Sequence, residues 1–117
     1  MPKKILIIDD ELDIRNYLET LFKSEGYETV TAVDGVEGLK KLEAESPDLI
    51  TLDLQMPNNT GTDFYRKMHR NETLGKIPVI IISGVPGRHL AVRQPVAVFD
   101  KPIDREELMA AVKKAIG

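Results

Sequence analysis

Five polar residues of this chain stand at the ends of apolar runs, and together their types suit phosphoryl transfer. Asp9 and Asp10 follow the run 4–8, Asp53 ends the run 48–53, Ser83 ends the run 77–83, and Lys101 comes just after the run 96–99. A carboxylate behind a buried strand is costly to place unless something pairs with it. Asp53, in Ile-Thr-Leu-Asp-Leu-Gln-Met-Pro, is the acid for which that cost is plainest. Three carboxylates gathered in one crevice raise each other's pKa, and a divalent cation removes the conflict. Oxygen ligands suit Mg²⁺, which keeps several waters and takes one or two carboxylates plus a phosphate. Lys101 supplies a compact positive charge for phosphoryl oxygens, and Ser83 supplies a hydroxyl donor. The nucleophile in such a set is a carboxylate, and its product is an acyl phosphate.

The elements that must position these residues can be read from hydrophobic period. Residues 4–8 and 77–83 are continuously apolar, as strands buried on both faces are. Pro78 stands at the start of the second of these, where a strand tolerates it. Residues 28–33 alternate Val30 and Ala32 with Thr29 and Thr31, which places that strand at a sheet edge. Between strands lie amphipathic helices. Ile14, Leu18, Leu21 and Phe22 form a stripe over 11–25 that Gly26 should stop. Val36, Leu39 and Leu42 line the next helix, opened by an Asp34…Glu37 capping box and ending near Ser46-Pro47. Gly38 within it costs about 1 kcal/mol against alanine. After a polar loop from Asn58 to Gly61, a third helix turns Phe64 and Met68 inward and is closed by Gly75. Asp104…Glu107 is a second capping box, opening a last helix with Leu108, Val112 and Ile116 on one side.

Strand and helix alternate five times, which implies an α/β fold with a five-stranded parallel sheet, doubly wound, with helices on both faces. Ligands of such sheets bind outside the carboxyl ends of the strands, where all five polar residues fall. The 117 residues suit one domain, 1–117. Without cysteine there is neither a disulfide framework nor a thiolate metal site. A net charge of -3 with mixed signs argues against nucleic-acid binding through a basic face. The apolar run near the start is too short for a signal sequence or a membrane span, so the chain is read as soluble and cytoplasmic.

The paired acids Asp9-Asp10, the Asp53-Leu-x-Met-Pro…Gly61 stretch, Ser83 and Lys101-Pro102, each behind its expected strand, resemble a two-component response-regulator receiver domain. The resemblance runs from Lys3 into the final helix and is to the stand-alone, CheY-like type. It implies the flavodoxin-like strand order 2-1-3-4-5. It implies that Asp53 accepts a phosphoryl group from a sensor histidine kinase or a histidine phosphotransfer protein. Asp10, Asp53 and the Gln55 backbone carbonyl would hold Mg²⁺, with Asp9 acting through water. Ser83 and Lys101 would contact the phosphoryl oxygens, and the bond before Pro102 is a candidate cis peptide. The domain would catalyse only its own phosphorylation and dephosphorylation, without being an enzyme in the ordinary sense. It would be a monomer or weak dimer and signal to a downstream protein through the 84–101 surface.

Two places depart from the family pattern. The aromatic expected three residues before the lysine is replaced by Val98, and Phe99 points to the other face because side chains alternate along a strand. The stretch between Ser83 and Lys101 is short and carries Pro86, Gly87 and Pro95, so the fourth helix should be short or irregular. These departures motivate an alternative, a receiver-like docking module that signals without phosphorylation. A haloacid-dehalogenase-type phosphatase would want an acid where Gln55 stands, and a flavin site would want Ser, Thr and Gly where Asp9 and Asp10 stand. His69 and His89 should be isolated and exposed, and Met56 should pack beneath the acids.

Overall fold

In a computed structural model of the chain, the described residues are 2–54, 56–57, 60–83 and 97–117. Five strands, β1 (Lys4–Ile8), β2 (Glu28–Ala32), β3 (Leu49–Leu52), β4 (Val79–Ser83) and β5 (Ala97–Asp100), form one parallel sheet in the order β2-β1-β3-β4-β5. The register pairs Ile8 with both Ala32 and Leu52, and Ser83 with Asp100, so the strands end level along one edge. Four α-helices are described: α1 (Leu12–Ser24), α2 (Gly35–Glu45), α3 (Thr60–His69) and α4 (Arg105–Ile116). None is long and apolar enough to cross a membrane. The helix expected between β4 and β5 falls on residues 84–95, outside the described residues.

Apolar runs become strands here because each must feed two cores. Leu6, Ile8, Ile50, Leu52 and Ile81 face Leu42, Phe64 and Met68 of α2 and α3. Ile5, Ile7, Leu49, Ile80 and Ile82 face Leu18, Phe22, Leu108 and Val112 of α1 and α4. Burying each such side chain contributes roughly 1.5–3 kcal/mol, which is why the central strands tolerate so few polar residues. Val98 packs on the first core and Phe99 on the second, as strand alternation requires. Thr51, between Ile7 and Ile80 in register, is an exception; its buried hydroxyl has no hydrogen-bond partner among the described residues.

Helix ends follow the sequence signals with four adjustments. Gly26 stops α1 in a left-handed conformation, φ 91°, and Tyr27 N–H returns to the Phe22 carbonyl. Asp34 and Asp104 cap α2 and α4 by accepting from the backbone N–H of Glu37 and Glu107. The return bond of the first capping box lands one residue early, with Glu37 accepting from Val33 N–H. Val36 is not in the core but 57% exposed; the inner face of α2 carries Gly35, Gly38 and Leu42. Gly38 is a contact point, since a Cβ there would lie 2.7 Å from Ile8 Cδ1 and 3.2 Å from Phe64 Cδ2. The third helix starts at Thr60, inside the stretch read as loop, and ends at His69 rather than at Gly75. Gly75 instead belongs to a 3-10 turn, Leu74–Lys76, organised by the Asn71 side chain accepting from Thr73 and Leu74 N–H.

Candidate functional site

The level strand ends deliver the acids to one place. Asp53 N–H donates to the Ile8 carbonyl and Asp9 N–H to the Ala32 carbonyl, so both residues still follow sheet geometry when their side chains emerge. Asp9 is 2% and Asp53 1% exposed, whereas Asp10 and Glu11 lie at the solvent side. Each of these four carboxylates has an oxygen that lies within 4.8 Å of one from each of the others. Such an oxygen-only cluster fits a hard divalent cation by donor type and spacing.

Lys101, one residue past β5, extends its ammonium into the cluster. Its Nζ is 2.9 Å from Glu11 Oε1, 3.1 Å from Asp9 Oδ2 and 3.5 Å from Asp53 Oδ2. The lysine side chain is only 14% exposed. Taking charges out of water costs several kcal/mol per ion, and a lone lysine offsets only part of that for two buried carboxylates. Burial pulls the Lys101 pKa down, but the bond to Glu11 and the charges of Asp53 and Asp9 outweigh it and hold the ammonium above the ordinary lysine range. For Asp9 the balance goes the other way. Burial raises its pKa more than the Glu11 N–H and Lys101 lower it. Asp9 Oδ1 accepts from Glu11 N–H at 2.8 Å, and Arg15 Nη1 donates to the Asp9 carbonyl at 2.7 Å, so the loop behind β1 is fixed on both sides.

The glycine that follows Asp53 at a distance has a steric role. A Cβ on Gly61 would lie 2.5 Å from the Asp53 carbonyl oxygen and 3.1 Å from Met56 Cε. Only glycine lets the first turn of α3 press against the strand end that carries Asp53. Met56 is buried in the core below, as read from the sequence.

The structure therefore brings together Asp9, Asp10, Asp53 and Lys101. The Lys101-Pro102 bond is cis. Ser83 closes β4 at the same edge, in register with Asp100, the residue before Lys101. Gln55 and His89 lie outside the described residues. His69 is exposed and packs against Tyr65 with ring centroids 4.2 Å apart, away from the acids. Sequence reasoning missed Glu11, which makes the shortest contact to Lys101. Its one signal was being the third acid in a row behind β1.

Comparison with known proteins agrees with this geometry. The family model described as the response regulator receiver domain matches residues 5–113. Protein Rrf1 of Nitratidesulfovibrio vulgaris is 34% identical over 116 residues, which cover 99% of this chain and 84% of that protein. Sporulation initiation phosphotransferase F of Bacillus subtilis is 33% identical over 116 residues, covering 97% of this chain and 94% of the relative. Among solved structures, the chemotaxis response regulator CheY4 of Vibrio cholerae superposes with a TM-score of 0.87 at 26% identity, covering 99% of this chain and 100% of that one. The chain belongs to the response regulator receiver domain family, and so to two-component signalling.

Proposed function

We propose that this domain, residues 1–117, is a cytoplasmic phosphorylation-dependent switch whose phosphoryl acceptor is Asp53. The observation that carries the reading is the buried Asp53 carboxylate sharing Lys101 with Asp9 at the carboxyl edge of the sheet. An Asp53 oxygen attacks the phosphorus of a phosphohistidine on a sensor kinase or phosphotransfer protein. One P–O bond forms, the P–N bond breaks, and its electron pair leaves with the imidazole. Asp10, Asp53 and the Gln55 carbonyl would hold Mg²⁺, with Asp9 reaching it through water. When bound, Mg²⁺ neutralises charge on the attacking carboxylate and the phosphoryl oxygens. Lys101 pairs with the phosphoryl group, and Ser83 donates its hydroxyl to it. Support from the relatives includes one named as a phosphotransferase.

Output is proposed to run to a downstream protein through the 84–101 surface. Val98 in the place of the family aromatic favours a second reading, a docking module that signals without phosphorylation. The two separate on incubation with acetyl phosphate and Mg²⁺ followed by intact mass. Gain of one phosphoryl group in the wild type but not in Asp53→Asn is the expected result. No gain, together with no beryllofluoride binding, would leave the docking reading standing.

A further inference from the structure

Among the described residues Lys101 has three carboxylate partners, and the nearest is not Asp53. The order 2.9, 3.1 and 3.5 Å runs from Glu11 through Asp9 to Asp53. Glu11 also gives up a local role to reach it. It occupies the N-cap of α1 in an extended conformation, φ -90° and ψ 118°, yet its side chain makes no capping bond. N-cap positions favour Ser, Thr, Asp or Asn, whose short side chains close back on the helix. Glutamate is one methylene longer, and here that length carries the carboxylate across to a lysine 90 positions away in sequence. The backbone beneath it is fixed by the Glu11 N–H bond to Asp9 Oδ1. Glu11 is 57% exposed while its lysine partner is 14% exposed, so the pair spans the pocket rim.

We propose that Glu11 is a positioning residue for Lys101: it draws the ammonium toward the rim in the resting site and competes with the phosphoryl group for it. The inference rests on Asp53 being the acceptor. With the ammonium nearer Glu11, its contact with Asp53 is the longest of the three, 3.5 Å. Once Asp53 carries a phosphoryl group, the added negative charge draws Lys101 inward and Glu11 is released to solvent. The strength of the Glu11 contact then sets how tightly the phosphorylated form is held.

The test uses beryllofluoride, which mimics a phosphoryl group on a carboxylate, titrated calorimetrically in saturating Mg²⁺ with thermal melts to verify folding. Glu11→Gln should bind it up to about fivefold more tightly, the factor a part-exposed ion pair carries. Glu11→Asp keeps the pocket charge but is too short to reach Lys101 and is better suited to cap α1, so it should tighten binding as Glu11→Gln does. In a Lys101→Met background Glu11→Gln should lose most of its effect. An aspartate variant that binds like wild type, or a glutamine effect equal in both backgrounds, would overturn the proposal and assign Glu11 to general pocket charge. Unchanged binding by Glu11→Gln would overturn it too. If wild type itself takes no beryllofluoride, Asp53 as acceptor fails, and the role of Glu11 fails with it.

Discussion

Replacing Gly61 by alanine tests whether the first turn of α3 is seated on the strand end that carries Asp53 as tightly as the structure shows. The new Cβ would lie 2.5 Å from the Asp53 carbonyl oxygen and 3.1 Å from Leu54 Cα, where ordinary contact begins at 3.4 Å. Either α3 lifts or the peptide after Asp53 moves by the better part of an ångström. Lifting α3 opens the core beneath Phe64 and Met68, both fully buried. Overpacking of this kind costs about 1–3 kcal/mol. Alanine returns at most ~1 kcal/mol of helix propensity. The net loss of ~1–2 kcal/mol corresponds to a drop in Tm of roughly 4–8 °C for a domain of this size. Thermal unfolding by circular dichroism measures it. Gly75→Ala is the control, because its Cβ meets nothing closer than 3.4 Å. Since the struck atom belongs to Asp53, phosphorylation by acetyl phosphate should also slow in Gly61→Ala. A variant that melts with or above wild type and reacts at the same rate would refute the seating.

The remaining expectations concern stability. Asp9→Asn should raise the Tm of the metal-free protein, because burial outweighs Lys101 in setting the Asp9 pKa. A raised folded pKa means stability present at low pH and lost as Asp9 ionises. The gap between variant and wild type should therefore widen as pH rises from 3.8, the ordinary aspartate value, and flatten above the raised one; pH-resolved melts without Mg²⁺ decide this, and a gap that closes toward neutral pH would contradict it. Thr51→Val removes a buried hydroxyl without a partner among the described residues and should stabilise by about 1 kcal/mol in denaturant unfolding. Ser46→Gly should stabilise by a similar ~1 kcal/mol, since Ser46 caps α2 at φ 45°, a left-handed conformation that glycine adopts without penalty.

Much of the fold was legible because a doubly wound sheet leaves a strong trace. β1 and β4 need apolar side chains on both faces, so their runs are unbroken, and the caps at Asp34 and Asp104 are local chemistry. Asp9, Asp10, Asp53 and Lys101, which the structure brings together, were legible for the same reason, as polar exceptions at strand ends. What the sequence did not disclose depends on distance in three dimensions. Glu11 reaches Lys101 across 90 positions, and the sequence placed it only at the start of the α1 stretch. Gly38 read as a weak helix residue and Gly61 as the end of a loop until their neighbours Ile8 and Asp53 were in place. Val36 fitted a helical stripe, but the close approach of α2 through Gly35 and Gly38 turns that position outward.

Asp53 as the acceptor is tested most directly by locating the phosphoryl group chemically. Wild-type protein charged by acetyl phosphate in Mg²⁺, then reduced with borohydride, converts an acyl phosphate into the matching alcohol. Peptide mass spectrometry should find homoserine at position 53 and unmodified acids at Asp9, Asp10 and Glu11. Reduction at any of those three, with position 53 intact, would contradict it.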